Sequence, residues 1–284
     1  MTNPKISILL PAYKSINLLT NVFYPSFYKN VQEDVELIVY DNGGNLLFDT
    51  ETHLSANIHP MNCFMTPSQR QIRFKAIGGG KNIGLNAALN ECAKVATGDY
   101  FYLPHTDMYL MPGWDTTLLS ACRNFPPTSF LLCSRSIEPI KGHTNYHIIK
   151  NYGMEYDEFD KERLVNEFED YKDGSIVVGA RMPFFMHRKL WDKMGGVDSH
   201  YFSYCTDDDL IQEAYHNGCR RFWMVYDSLV YHLQGKSNQQ QHVDRDRNEP
   251  YEYFIDKWKK RGYENASHPG QWHPRLINFN HKVK

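Results

Sequence analysis

The chain has 284 residues, 42% hydrophobic and 23% charged, a globular composition long enough to bury a large core without disulfide or metal staples. Acidic and basic residues nearly cancel at a formal charge of -2, which argues against nucleic-acid or other general polyanion binding while leaving room for one local phosphate site. The six cysteines are scattered with no C-x-x-C pair, no signal-peptide pattern leads the chain, and no apolar run reaches the ~18 residues of a membrane span, so a cytoplasmic protein with reduced thiols is expected.

Lys5 to Leu10 form a short apolar run ending at Pro11, the pattern of a strand buried on both faces of a parallel sheet. Asn17 to Tyr28 carry spaced apolar residues and predict a helix. Val35 to Tyr40 predict a second strand, stopped by the turn Asp41-Asn42-Gly43-Gly44. Strand, helix and strand in this span make a βαβ unit, and an α/β fold with a mostly parallel sheet follows. Ile72 to Ile77 predict a further strand ending in Gly78-Gly79-Gly80, Ile83 to Ala96 an Ala-rich helix closed by Gly98, and Asp99 to Leu103 another strand. Pro112-Gly113-Trp114 opens a helix through Arg123. Phe130 to Ser134 and Ile176 to Met186 predict strands of a second half, separated by the acidic stretch Glu155 to Asp173, which reads as a solvated helix or loop. Asp207 to Asn217 predict a helix and Arg221 to His232 strands, after which the chain turns polar with Gln239-Gln240-Gln241.

In an open α/β sheet, ligands bind beyond the carboxyl ends of the strands. Pro11-Ala12-Tyr13, Asp41-Asn42-Gly43 and His105-Thr106-Asp107 occupy such ends. A carboxylate there can accept a hydrogen bond from a nucleobase or hold a metal, and Asp41 can equally serve as a turn cap. Gly78-Gly79-Gly80-Lys81 fails the phosphate-loop pattern, since Lys75 and Asn82 stand where Gly and Ser or Thr are required. Asp207-Asp208-Asp209 suits a helix start facing the backbone dipole, and successive helical residues diverge, so the three cannot share one site. His232, at a strand end, can complete a carboxylate-plus-imidazole metal set.

Taken in order, these pieces resemble the GT-A-fold glycosyltransferases, most closely the large inverting family two typified by bacterial polysaccharide enzymes. The resemblance covers residues 5 to 237 and is carried by six segments. They are Lys5 to Tyr13; Glu36 to Gly43; Asn82-Ile83-Gly84 with Asn86 to Asn90 and then Ala96 to Tyr100; Gly195-Gly196-Val197-Asp198; Asp207-x-Asp209-Leu210; and Gly218 with His232-x-x-Gly235. It implies a Rossmann-like sheet flanked by helices in one domain over residues 1–235, with nucleotide-sugar binding in 1–115, acceptor binding in 116–235, and a polar then basic and aromatic tail over 236–284. It further implies metal-assisted transfer of one sugar, with inversion, to a glycan or glycoconjugate hydroxyl. The donor would be UDP-linked first and GDP-linked as the alternative, with Mn2+ preferred over Mg2+. Pro11, Ala12, Tyr13, Asp41, Asn82, Gly84, His105 and Thr106 would form the donor pocket, Asp107 and His232 would hold the metal, and Asp207 would be the general base. The sequence departs from the family in two places: His105 stands where the first carboxylate of Asp-x-Asp is usual, and Thr206 where Glu is usual. The processive synthases' Gln-x-x-Arg-Trp is absent. A silent nucleotide-sugar or glycan-binding protein is the alternative reading; a nucleotidyltransferase fits less, since Pro11-Ala12-Tyr13 is not a Gly-rich basic loop. In the tail, Lys257, Lys259, Lys260 and Arg261 surround Trp258, with Tyr263, Trp272 and Phe279 beyond. This pattern predicts a segment packed back on the domain, or one lying peripherally on an anionic membrane.

Overall fold

The computed structural model describes residues 5–43, 63–65, 71–141, 147–234 and 248–263. Gly44, Gly235, the Gln239–Gln241 run, Trp272 and Phe279 lie outside the described residues.

The chain opens with β1 (Ile6–Ala12), whose backbone runs through Pro11 rather than stopping at it. The first helical segment is continuous but uneven: α1 (Ile16–Leu18), a π-helical turn (Leu19–Phe23) and α2 (Tyr24–Asn30). Then come β2 (Val35–Asp41), β3 (Cys63–Met65), β4 (Gln71–Gly78), α3 (Leu85–Val95), β5 (Tyr100–Leu103), β6 (Met108–Leu110) and α4 (Trp114–Cys122). The second half holds β7 (Phe130–Glu138), β8 (Ile148–Ile149), α5 (Lys161–Glu167), β9 (Ile176–Val178), β10 (Phe184–His187), α6 (Arg188–Met194), α7 (Thr206–His216), β11 (Arg221–His232) and α8 (Asn248–Lys260).

The stretch read as one strand, Ile176 to Met186, is two. β9 pairs antiparallel to β11, whereas β10, after the cis Met182–Pro183 bond, crosses to lie between β5 and β7. Residues 155–173, read as solvated, contain α5 and a 3-10 turn, and their apolar residues Phe159, Leu164 and Phe168 are buried. β7 extends to Glu138, four residues past its expected end.

The described strands form one sheet in the order β3-β4-β2-β1-β5-β10-β7-β11-β6. β1, β2, β4 and β5 run parallel; β10 is antiparallel to β5 and β7, and β11 runs parallel to β7. The carboxyl ends of β1, β2, β4, β5, β7 and β11 therefore open on one edge. Alternation explains the layers. Ile6, Ile8 and Leu10 face one core with Phe23, Phe27, Trp114 and Leu118, whereas Leu9 and Ile38 face another with Leu89, Cys92, Trp191 and Leu210. Helices thus cover both faces. Cys92, Cys122, Cys133, Cys205 and Cys219 are buried and free. No helix among the described residues is long and apolar enough to cross a membrane.

Candidate active site

Two strand ends meet first. Asn42 N–H donates to the Ala12 carbonyl at 2.8 Å, which sets the turn after β2 beside Tyr13, a half-buried ring next to Gly43. Asp41 is buried, and its Oδ1 accepts from Gly43 N–H at 3.1 Å, so the turn-capping role open at the sequence level is filled by that oxygen. Asn42, which the sequence marks only as part of the turn, ties in the next segment: its Oδ1 accepts from Ile83 N–H at 2.8 Å and its Nδ2 donates to the Gly84 carbonyl at 3.3 Å. Asn82 Oδ1 accepts from Gly84 N–H at 3.0 Å. Gly84 takes φ +88, and a Cβ there would stand 2.6 Å from the Phe202 ring, so only glycine fits at the head of α3. Pro11, Ala12, Tyr13, Asp41, Asn82 and Gly84 therefore share one stretch of the edge.

The second group is fixed by register. β6 pairs antiparallel with β11, with His232 opposite Met108, and Leu233 N–H donates to the Asp107 carbonyl at 3.0 Å. Three residues of β6 were too few for a periodic signal, yet they bring together side chains 125 positions apart. His232 Nε2 lies 3.6 Å from Asp107 Oδ2. His105, just past β5, completes a triad: His105, Asp107 and His232 each offer one ligand atom, and these lie within 4.8 Å of one another. Thr106 is buried between them in sequence. Burial pushes His105 below its ordinary pKa, with Asp107 pulling the other way. For His232 burial also opposes the charged ring, but the carboxylates of Asp107 and Glu138 outweigh it and raise the pKa to about 10. Two imidazoles and a carboxylate fit a divalent transition metal better than Ca2+ or Mg2+, which take all-oxygen sets.

Asp207 lies in the first turn of α7, after Cys205 in the left-handed conformation at φ +61. It is half-buried, and burial raises its pKa, reinforced by Asp208 and opposed by His105 and Arg181. Asp207 thus interacts electrostatically with His105, one member of the triad. Asp209 turns away, as residues two apart on a helix must: its Oδ1 accepts from Trp258 Nε1 at 2.9 Å and Tyr201 OH at 3.2 Å. Thr206 is buried and donates to the Ser203 carbonyl at 3.3 Å.

Sequence reasoning missed Glu138, His147 and Arg181. Glu138 ends β7 and accepts from His232 Nδ1 at 3.1 Å. His147 Nδ1 lies 3.6 Å from Glu138 Oε1. Arg181 is exposed, and its N–H donates to Cys133 Sγ at 3.1 Å. None of the three carries a local motif.

No protein-family model matches the chain, and no curated protein matches it. Solved structures match its fold. TarS 1–349 from S. aureus, in complex with UDP-GlcNAc, superposes with a TM-score of 0.62 at 13% identity over 97% of this chain and 71% of that one. The mannosyltransferase PcManGT from Pyrobaculum calidifontis, in complex with GDP-Man and Mn2+, gives 0.55 at 15% over 97% and 69%. GalNAc-T7 with UDP, GalNAc and Mn2+ gives 0.58 at 15% over 98% and 57%. The chain has the GT-A fold, as the sequence resemblance implied.

Proposed function

We propose that the protein transfers one sugar from a nucleoside-diphosphate sugar to an acceptor hydroxyl, with inversion at the anomeric carbon. The observation that carries this reading is the arrangement at one sheet edge: the Asp41 turn and the His105–Asp107–His232 triad come from separate segments and stand at the carboxyl ends of strands, where open α/β sheets bind ligands, and structures of the same fold hold nucleotide sugars. The donor lies across the half formed by residues 1–115, with its base between Tyr13 and Asp41, and the acceptor enters from residues 116–235. The acceptor oxygen attacks the anomeric carbon as its proton passes to the Asp207 carboxylate, and the carbon–oxygen bond to the diphosphate breaks with its electron pair leaving on the nucleotide. His105, Asp107 and His232 would hold a divalent cation, Mn2+ in preference to Mg2+, which when bound supplies Lewis-acid neutralisation of the leaving diphosphate.

Uridine is the leading nucleoside. Asp41 ends β2, where a carboxylate can accept the imide N–H of a uracil base. Isothermal titration with UDP and GDP, each with and without Mn2+, tests both halves. UDP is expected to bind more tightly than GDP, and Mn2+ to tighten it further. Equal affinities would overturn the uridine assignment. Asp107→Ala is expected to abolish the Mn2+-dependent gain while leaving the metal-free affinity in place. Parent binding indifferent to Mn2+ would remove the metal from the reading and transfer charge neutralisation to Lys or Arg residues.

A further inference from the structure

We propose that Glu138 is the positioning residue that presents His232 to the cation, by holding the imidazole in one tautomer and one orientation. The proposal rests on the reading of His105, Asp107 and His232 as a metal site.

An imidazole binds a metal through the lone pair of one nitrogen, and the other nitrogen must then carry a proton that needs an acceptor. A carboxylate behind that N–H fixes the ring's orientation and makes the ligating nitrogen more basic. Glu138 meets each requirement. It is 6% exposed and ends β7, next in sequence to Ile137, which stands opposite Tyr231 in the parallel β7–β11 pair. Glu138 and His232 are therefore the next residues on adjoining strands. Oε1 lies 3.1 Å from His232 Nδ1, while Nε2 of the same ring faces Asp107 Oδ2 at 3.6 Å. The ring is thus oriented along a line from Glu138 to Asp107, with Nε2 turned into the triad. Glu138 is itself held: Oε2 accepts from Gln234 Nε2 at 3.2 Å, and His147 Nδ1 lies 3.6 Å from Oε1. Gln234 stands two residues after His232, so the segment that carries the ligand also grips the residue that orients it.

A purely structural Glu138, present to satisfy Gln234 and His147, would affect the melting temperature but not the Mn2+ affinity of the folded protein. Titrating Mn2+ into the full chain, alone and with UDP, and following the electron paramagnetic resonance signal of the free ion, separates the two roles. Glu138→Leu is expected to weaken Mn2+ binding by about 10- to 100-fold. Glu138→Gln keeps an oxygen that can accept from Nδ1 and is expected to recover most of that loss. In the zinc-loaded parent, imidazole nitrogen NMR is expected to find His232 protonated at Nδ1 and bare of proton at Nε2, a pattern lost in Glu138→Leu. Should Glu138→Leu fail to fold, Glu138→Asp decides, because it keeps the charge but draws the carboxylate back from Nδ1. Its Mn2+ affinity falls on this proposal and stays at the parent value otherwise. Unchanged Mn2+ affinity in the folded variants, with the parent binding normally, overturns the positioning role alone. A parent that binds no Mn2+ with or without UDP overturns the metal site, and the role of Glu138 with it.

Discussion

Asp207→Asn is expected to lower turnover by about 10²- to 10⁴-fold, equivalent to about 3 to 5 kcal/mol of barrier. The substitution keeps the shape of the side chain and removes its capacity to take a proton. Burial makes Asp207 a stronger base than a solvated aspartate, and Asp208 adds to the effect, while His105 and Arg181 limit it. Nucleotide affinity should stay at the parent value, because the Asp41 turn and the triad belong to other segments. Asp209→Asn provides the contrast: its carboxylate is bonded to Trp258 and Tyr201 rather than turned to the triad, so its loss should appear in the melting temperature and leave kcat close to the parent's. Steady-state kinetics on both variants, with calorimetric UDP binding, decides the matter. Near-parent turnover in Asp207→Asn alongside a collapse in Asp208→Asn would move the base by one residue. Activity retained in all three variants would remove these carboxylates from the proton transfer, whereas a folded parent that binds UDP without turnover would favour a silent nucleotide-sugar-binding protein.

The parallel half of the sheet was legible because its strands are buried on both faces and therefore read as near-continuous apolar runs, as in Ile6 to Leu10 and Val35 to Tyr40, interrupted only by the buried Ser7 and Glu36. The switch from β9 to β10 was not, since apolar residues continue past Val178 and the sequence shows only Pro183 as a sign that the chain leaves one neighbour for another. At the site, the pairing of Asp107 with His232 came from resemblance, not from spacing, and what joins them in space is the three-residue strand β6, paired with the end of β11. Glu138 is 94 positions from His232, and an isolated glutamate after an apolar run carries no signal of what it will face. Asn42 likewise acquires its role only when residues 82–84 fold back onto it. The basic and aromatic stretch from Lys257 left two readings open because composition does not fix which face turns inward. The structure buries Trp258 completely and Lys257 almost so, which supports packing on the domain and leaves neither residue available to a membrane.

Lys257→Met is expected to destabilise the protein by about 3 to 5 kcal/mol at neutral pH, the usual cost of leaving a buried charge without its partner. Lys257 Nζ lies 2.7 Å from Asp209, 2.9 Å from Asp198 and 3.0 Å from Glu213, and its own side chain is 9% exposed. Arg261 also reaches Glu213, at 2.7 Å, so α8 and the turn after it carry two cations to three acids on α7 and the loop before it. That loop is gripped from α3 as well, where Asn86 donates to the Asp198 carbonyl at 2.8 Å. Methionine preserves the apolar length of the stem against Trp258 and Tyr201 and removes only the charge. The loss should depend on pH with a definite sign. Burial raises the Asp209 pKa to about 6, so its ionised form is disfavoured in the folded protein, and its contribution to stability is lost as pH rises from the ordinary aspartate range through 6. Lys257, whose own pKa is raised because the acids outweigh its burial, stays charged across that window and offsets the loss in the parent. Without it, the penalty at Asp209 grows at neutral pH and is relieved when acid protonates the carboxylate. The melting-temperature gap between parent and Lys257→Met should therefore be wider at pH 7.5 than at pH 5. A gap of equal size at both values would mean that Lys257 stabilises α8 through the packing of its stem, with the ion cluster contributing nothing that titrates.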